Sequence, residues 1–292
     1  MMTTLDKVLE GLMNRYQKRV PDVETIIQAM IEKKMIGSAT NIENDHIAFR
    51  TLGVPHLGIA SLEKIFLHLG YTRRDAYTFT KKKLLAYWYQ PPHPKYPRVF
   101  ISQLLIEQLS QPIQTILKTY TNTLSNDPVD TLNLDDAKAI DTFLHSPLWK
   151  APTWEDYEAI LQETEYGAWA LFNKYYLNHF TISIHRLPAP VNTLQKFNQF
   201  LETLGIVLND SNGIIKKSAD GLLLQSASVA EKLSESFLHL DGRTKTHILP
   251  GSYVEFAERL VDPKSGQRRD GFDAGNADTI FESTYTDQTH KK

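Results

Sequence analysis

Along this chain the spacing of apolar positions switches between helical and strand-like periods. Leu5, Val8, Leu9, Leu12 and Tyr16 fall on one helical face and predict an amphipathic helix over 4–18. Pro21 and Asp22 interrupt it, and Ile26, Ile27, Met30 and Ile31 predict a second helix over 23–35. The run DHIAFRTL (45–52) is short and apolar and is followed by Gly53 and Pro55, the pattern of a strand. A helix is predicted over 61–69, stopping at Gly70, with strands at 76–80, 84–89 and 98–102. The middle third is predicted mostly helical, over 103–120, 135–144 and 154–176. Thr153 and Asp156 form a capping-box pattern ahead of the last of these. NHFTISIH (178–185) is again strand-like, 193–204 is helical up to Gly205, and short strands are predicted near 206–209, 213–218, 221–225, 245–249 and 252–259. From Asp262 to Lys292 the chain is polar and contains glycine, which predicts a loop and a loose tail.

Two stretches share one plan. His46 opens a strand that leads to a helix ending Leu69-Gly70, and His179 opens a strand that leads to a helix ending Leu204-Gly205. The closing strands also compare, Val99-Phe100-Ile101-Ser102 with Val254-Glu255-Phe256-Ala257. The expected fold class is therefore α+β, one strand–helix–strands unit used twice. The expected division is N-terminal helices at 1–40, a first unit at 41–105, a helical insert at 106–176, a second unit at 177–262, and a C-terminal loop and tail at 263–292, all in one domain.

Composition narrows the chemistry. The 292 residues include no Cys, which excludes disulfides, thiolate metal sites and Cys nucleophiles, and any metal falls to the ten His and 34 Asp and Glu. A net charge of −2 gives no electrostatic case for nucleic acid. The leading stretch is amphipathic and acid-containing, unlike a secretory signal, and no apolar run is long enough for a membrane span, so a soluble, cytoplasmic protein is expected.

Alternate strand residues share a face, so His46 sits with Ala48 and Arg50, and His179 with Thr181 and Ser183. Glu255 is a carboxylate inside an apolar strand, costly there unless paired or bound to a cation. Any one of these is by itself more often an ordinary core or surface residue. Their equivalent places in a repeated unit change that: a pseudo-twofold sets the first strands side by side, and His46, His179 and Glu255 converge. Two His and one carboxylate are the facial triad of non-haem Fe(II) oxygenases, and the Arg50 fork suits a carboxylate. His185 is expected to sit solvated at the mouth of its strand, His247 to be an ordinary strand histidine, Lys81–Lys83 a solvated hairpin, and Tyr87, Trp88 and Tyr89 core. Trp149, Trp154 and Trp169 should anchor the helical insert.

The runs DHIAFRTLG (His46, Arg50), NHFTISI (His179), YVEFAERL (Glu255) and RRDGFDAGNADTIFEST (268–284) together resemble the 2-oxoadipate dioxygenase/decarboxylase family. That family is similar to a branch of the vicinal oxygen chelate superfamily. The resemblance spans about 20–285. It implies two βαβββ modules forming one mixed sheet or half-barrel. It also implies Fe(2+) held by His46, His179 and Glu255, a substrate carboxylate on Arg50, and Gly275 and Asn276 in a stretch that closes on the substrate. The implied reaction takes a 2-oxo dicarboxylic acid, 2-oxoadipate, with O2 to 2-hydroxyglutarate and CO2, as in lysine catabolism. Two other readings keep the scaffold: a divalent-metal isomerase or lyase, and a non-catalytic small-molecule binding protein. The isomerase reading usually needs a second carboxylate, and the position matching Glu255 in the first unit is Phe100.

Overall fold

The computed structural model describes residues 2–292. Helices α1 (Thr4–Arg19) and α2 (Pro21–Glu32) come first. Thr3 and Asp6 close a reciprocal capping box on α1. Pro21 starts α2 where its missing N–H costs nothing, two positions before the expected start. Helix α2 ends at Glu32, short of the expected 35, because Lys34 turns into the left-handed region at φ 57°.

The first module is β1 (Asn44–Leu52), α3 (Ile59–His68), β2 (Thr72–Phe79), β3 (Leu84–Gln90) and β4 (Arg98–Leu104). Four helices follow, α4 (Gln111–Thr121), α5 (Ala137–Leu144), α6 (Trp154–Glu163) and α7 (Glu165–Asn173). The second module is β5 (His179–Ser183), α8 (Leu194–Thr203), β6 (Lys216–Lys217), β7 (Leu223–Ala227) and, after a hairpin of β8 (Lys232–Leu238) and β9 (Thr244–Pro250), β10 (Tyr253–Arg259). The chain closes with α9 (Ala274–Ile280), a 3-10 turn (Phe281–Thr284) and α10 (Thr286–Thr289).

Eight strands make one curled mixed sheet, a half-barrel, in the order β2-β3-β4-β1-β5-β10-β7-β6. The order reads the same outward from the β1–β5 junction in both directions. At that junction β1 and β5 run antiparallel, with Ala48 opposite His179. On either side, β4 runs parallel to β1 with Phe100 opposite Ala48, and β10 runs parallel to β5 with Glu255 opposite Thr181. Phe100 and Glu255 thus occupy equivalent positions, as the repeat predicts. The hairpin β8–β9 stands apart as a two-stranded ribbon inserted before the last strand.

The central strands are buried on both faces, which accounts for the near-continuous apolar run of β1. Helix α7 crosses over them. The Tyr166 hydroxyl accepts from the Thr51 N–H (3.2 Å) and bonds the Ser102 hydroxyl (2.8 Å), and the Trp169 indole N–H donates to the Gly251 carbonyl (2.7 Å). The helical insert is therefore tied to both modules.

Four expectations are corrected. The helix expected over 103–120 is split, because β4 continues to Leu104 and α4 begins only after Ser110, with Pro112 in its first turn. Of the strands expected near 206–209 and 213–218, only Lys216–Lys217 forms, with Leu208 in a single bridge to Ser228. The C-terminal stretch is not a loose tail. Phe272, Ile280 and Phe281 are buried and fill the mouth of the half-barrel. Within this stretch, Asp278 and Glu282 bind Lys82 (3.2 and 2.8 Å), so Lys82 is a nearly buried tether rather than a solvated hairpin residue. No helix among the described residues is long and apolar enough to cross a membrane.

Trp169 is fully buried, so Trp169→Ala should lower the unfolding free energy by about 3–5 kcal/mol. Leu240 is 77% exposed, and Leu240→Ala should change it by less than about 0.5 kcal/mol. Urea unfolding followed by circular dichroism measures both. Equal effects would show that Trp169 anchors nothing.

Candidate metal centre

The pairing of β1 with β5 brings His46 and His179 together, and β10 adds Glu255 beside them. One ligand atom from each residue lies within 4.8 Å of the other two, and all three residues are buried. The imidazole Nε2 atoms are 3.3 Å apart. Glu255 Oε2 is 3.1 Å from His179 Nε2, and Oε1 is 3.5 Å from His46 Nε2.

The residue before each histidine fixes its tautomer. His46 Nδ1 lies 2.9 Å from Asp45 Oδ1, and His179 Nδ1 lies 2.9 Å from Asn178 Oδ1. Both partners are acceptors, so each imidazole carries a proton on Nδ1 and turns Nε2 inward, where the Thr181 hydroxyl also lies 3.1 Å from His46 Nε2. Two Nε2 atoms and a carboxylate then face one another in a buried space, an arrangement that suits a cation. The electrostatics agree. Burial pushes the His179 imidazolium well below the ordinary histidine range, with the His46 and Arg50 charges adding to it. Burial also disfavours charge on His46, but Glu255 and Asp45 outweigh it and hold His46 above the ordinary range. The field of Glu255 therefore draws positive charge to this point.

Asp45 reaches His46 through a local irregularity. Neighbouring strand residues face opposite ways, but the β1–β5 register shifts between Asn44 and Ile47. Asp45 also accepts two bonds from Arg259, Nε to Oδ2 at 2.6 Å and Nη2 to Oδ1 at 2.8 Å. Its own burial raises its carboxyl, but Arg259 and His46 outweigh that and keep it well below the usual carboxylate range. The pair is nearly solvent-free, each side chain 1% exposed.

Arg50, on the same strand face as His46, is buried. Nη1 donates to Thr284 Oγ1 and Nη2 to the Phe281 carbonyl, both at 2.8 Å, and Nε has no partner. The guanidinium lies over Tyr166 and Trp169, 5.0 and 5.1 Å from their ring centroids. Among the described residues no carboxylate pairs with it. A fully buried cation without a counter-ion is expensive.

Phe100, Phe272, Ala277, Ile280 and Phe281 wall the space in front of the triad, leaving about 20 Å3, room for roughly one water. Gly275 is exposed on α9. Asn276 is buried, and its amide donates to the Leu223 carbonyl (3.2 Å) and Gln225 Oε1 (2.9 Å). His247 lies on the ribbon away from the site, stacked on Trp154 at 3.5 Å between ring centroids. His185 ends in a 3-10 turn, where its Nδ1 accepts the Arg259 N–H (3.2 Å). Sequence reasoning did not single out Asp45, Asn178, Gln225 or Phe281. A signal for the first two was present, since each candidate His is preceded by a residue with a side-chain carbonyl or carboxylate.

The family model described as 2-oxoadipate dioxygenase/decarboxylase matches residues 8–268. The Arabidopsis thaliana chloroplastic 2-oxoadipate dioxygenase/decarboxylase is 42% identical over 269 residues, covering 85% of this chain and 70% of that protein. The crystal structure of the Oryza sativa hydroxyglutarate synthase in complex with 2-oxoadipate superposes with a TM-score of 0.85 at 38% identity, covering 97% of this chain and 92% of that one. A glyoxalase-superfamily protein of Ralstonia eutropha shares the fold, with a TM-score of 0.73 at 21% identity, covering 94% of this chain and 88% of that one.

Burial, with Arg268 adding to it, lowers His185 to about 4. Unfolded, a histidine takes its proton near 6.5. Between those values the unfolded chain binds more protons, so stability falls as pH drops through this window. Urea unfolding at pH 7.5, 6 and 5 should show that decline, and His185→Gln should flatten it. Parallel curves for the two proteins would remove His185 as the source.

Proposed function

The chain belongs to the 2-oxoadipate dioxygenase/decarboxylase family, and from that premise we propose that it is an Fe(II) enzyme. In this reading it converts 2-oxoadipate and O2 to 2-hydroxyglutarate and CO2, a step of lysine breakdown. The observation that carries the reading is Arg50, a buried guanidinium without a counter-ion on the β1 face that also carries His46 of the buried His-His-Glu set. A neutral-imidazole and carboxylate donor set with no thiolate suits a divalent metal that changes oxidation state. Such a set leaves coordination positions for small molecules, and the adjacent unpaired cation selects an anionic one.

His46, His179 and Glu255 would hold the metal, and Fe(II), when bound, supplies the electron transfer that lets O2 react with an organic acid. The protein's own residues supply the rest. Arg50 binds a substrate carboxylate in place of Thr284 and the Phe281 carbonyl, which fixes the acid's orientation. Tyr166 and Trp169 hold the guanidinium plane from behind. Phe100, Phe272 and Phe281 exclude water from the reacting carbons. The segment 272–284, which contains Gly275 and Asn276, closes over the pocket. With 2-oxoadipate outside and only about 20 Å3 inside, it opens to admit substrate. Phe100 stands where an isomerase-type site would need its second carboxylate, which favours the oxygenase.

After anaerobic loading with Fe(II), addition of 2-oxoadipate and O2 should give one CO2 released per O2 consumed. An O2 electrode and trapped CO2 measure the ratio. His46→Ala should abolish turnover. Arg50→Met should lower kcat/KM by about 10- to 100-fold, the loss of a hydrogen-bonded charge pair. An Fe-loaded protein that consumes no O2 with any 2-oxo acid would overturn the assignment.

A further inference from the structure

Gln225 on β7 is buried between the candidate metal ligands and the C-terminal helix. Its Nε2 donates to Glu255 Oε1 at 2.6 Å, and its Oε1 accepts from Asn276 Nδ2 at 2.9 Å. Both ends of the link have a fixed direction. Asn276 Nδ2 also donates to the Leu223 carbonyl, which can only accept, so this end of Asn276 is its amide nitrogen. The Gln225 atom facing it is then the oxygen, which turns the Gln225 nitrogen to the carboxylate. Reversing either amide would set two acceptors against each other in a buried space. Gln225 and Asn276 are 3% and 2% exposed, so water is not available to replace either bond.

We propose that Gln225 is a positioning residue for the metal ligand Glu255, and that Asn276 couples this positioning to the docking of α9. The inference rests on the metal-dependent reading above and deepens it. With Oε1 held by Gln225, 3.5 Å from His46 Nε2, the carboxylate presents Oε2 to His179 Nε2 at 3.1 Å. A neutral amide does this without cancelling the carboxylate's charge, which an Arg or Lys there would do. Helix α9 contributes Ala277 and Ile280 to the pocket wall, and Asn276 is the side chain it sends back to Gln225. When α9 lifts to admit substrate, Gln225 loses the acceptor that orients it, and Glu255 loses its fixed rotamer. Closure of the pocket and tight metal coordination are therefore one event. Because coupling between two binding equilibria is reciprocal, metal must also tighten the docking of α9.

The test uses Co(II) as an air-stable probe of the full chain, with visible absorption reporting coordination. Gln225→Met keeps the volume and removes the donor, and should weaken Co(II) binding by about 10- to 100-fold and change the absorption bands. Asn276→Ala should weaken it by a smaller factor, and the double variant should bind no more weakly than Gln225→Met alone. Co(II) should slow amide hydrogen exchange across 274–280 in the wild type but not in Gln225→Met. If Gln225→Met does not fold, Asn276→Ala decides by the same affinity and exchange readouts. Gln225→Met affinity within twofold of wild type, or Asn276→Ala unchanged in both readouts, overturns the relay and leaves the proposed function standing. Wild-type protein that takes up no Co(II) overturns both.

Discussion

The antiparallel pairing of β1 with β5 is the interaction on which the rest depends. It is the seam between two similar modules. It alone sets His46 and His179, distant in sequence, with their Nε2 atoms 3.3 Å apart. The parallel partners then fill in around it, β10 with a carboxylate and β4 with an aromatic ring. A one-residue slip at this seam would turn every side chain of β1 to the other face. Burial of β1 on both faces opposes such a slip, and the Tyr166 hydroxyl, bonding Thr51 and Ser102, ties β1 to its other neighbour β4.

Around the seam the buried charges are handled in two ways. Arg259 and Asp45 satisfy each other, and the pair holds the imidazole of His46 in place. Arg50 has only a hydroxyl and a carbonyl, both from the C-terminal segment. The first arrangement is complete in the folded chain and serves geometry. In the proposed function an anion from outside completes the second, and part of the cost of burying Arg50 would be recovered on binding. In that reading the two arginines separate structure from recognition.

The triad and the α+β plan were legible in the sequence because they depend on local pattern repeated twice: a His at a strand start, a helix ending in Leu-Gly, and a closing strand. Asp45 was not, because in an ideal strand it faces away from His46, and only the register shift brings the two together. Gln225 was not, because its role exists only across a contact between β7 and β10. Helix α9 reads as a loop since AGNADTI has weak helical propensity and only seven residues. Its stability comes from the Asp273 cap and from Ile280 and Phe281 seated in the half-barrel, which no local pattern announces. Arg50 was legible as a candidate, but its lack of a counter-ion was not, since that is a property of everything packed around it.

The unlike pair at the equivalent positions, Phe100 and Glu255, has a consequence for how a substrate is seated. A true twofold axis through the seam would offer a bound acid two indistinguishable poses related by rotation. Here one half presents a carboxylate and the other an aromatic ring, and one histidine is backed by an acid and the other by an amide. The degeneracy is removed by those few side chains while the strand order stays symmetric about the seam. Two similar modules build the cavity, and their differences at two pairs of positions give it a front and a back.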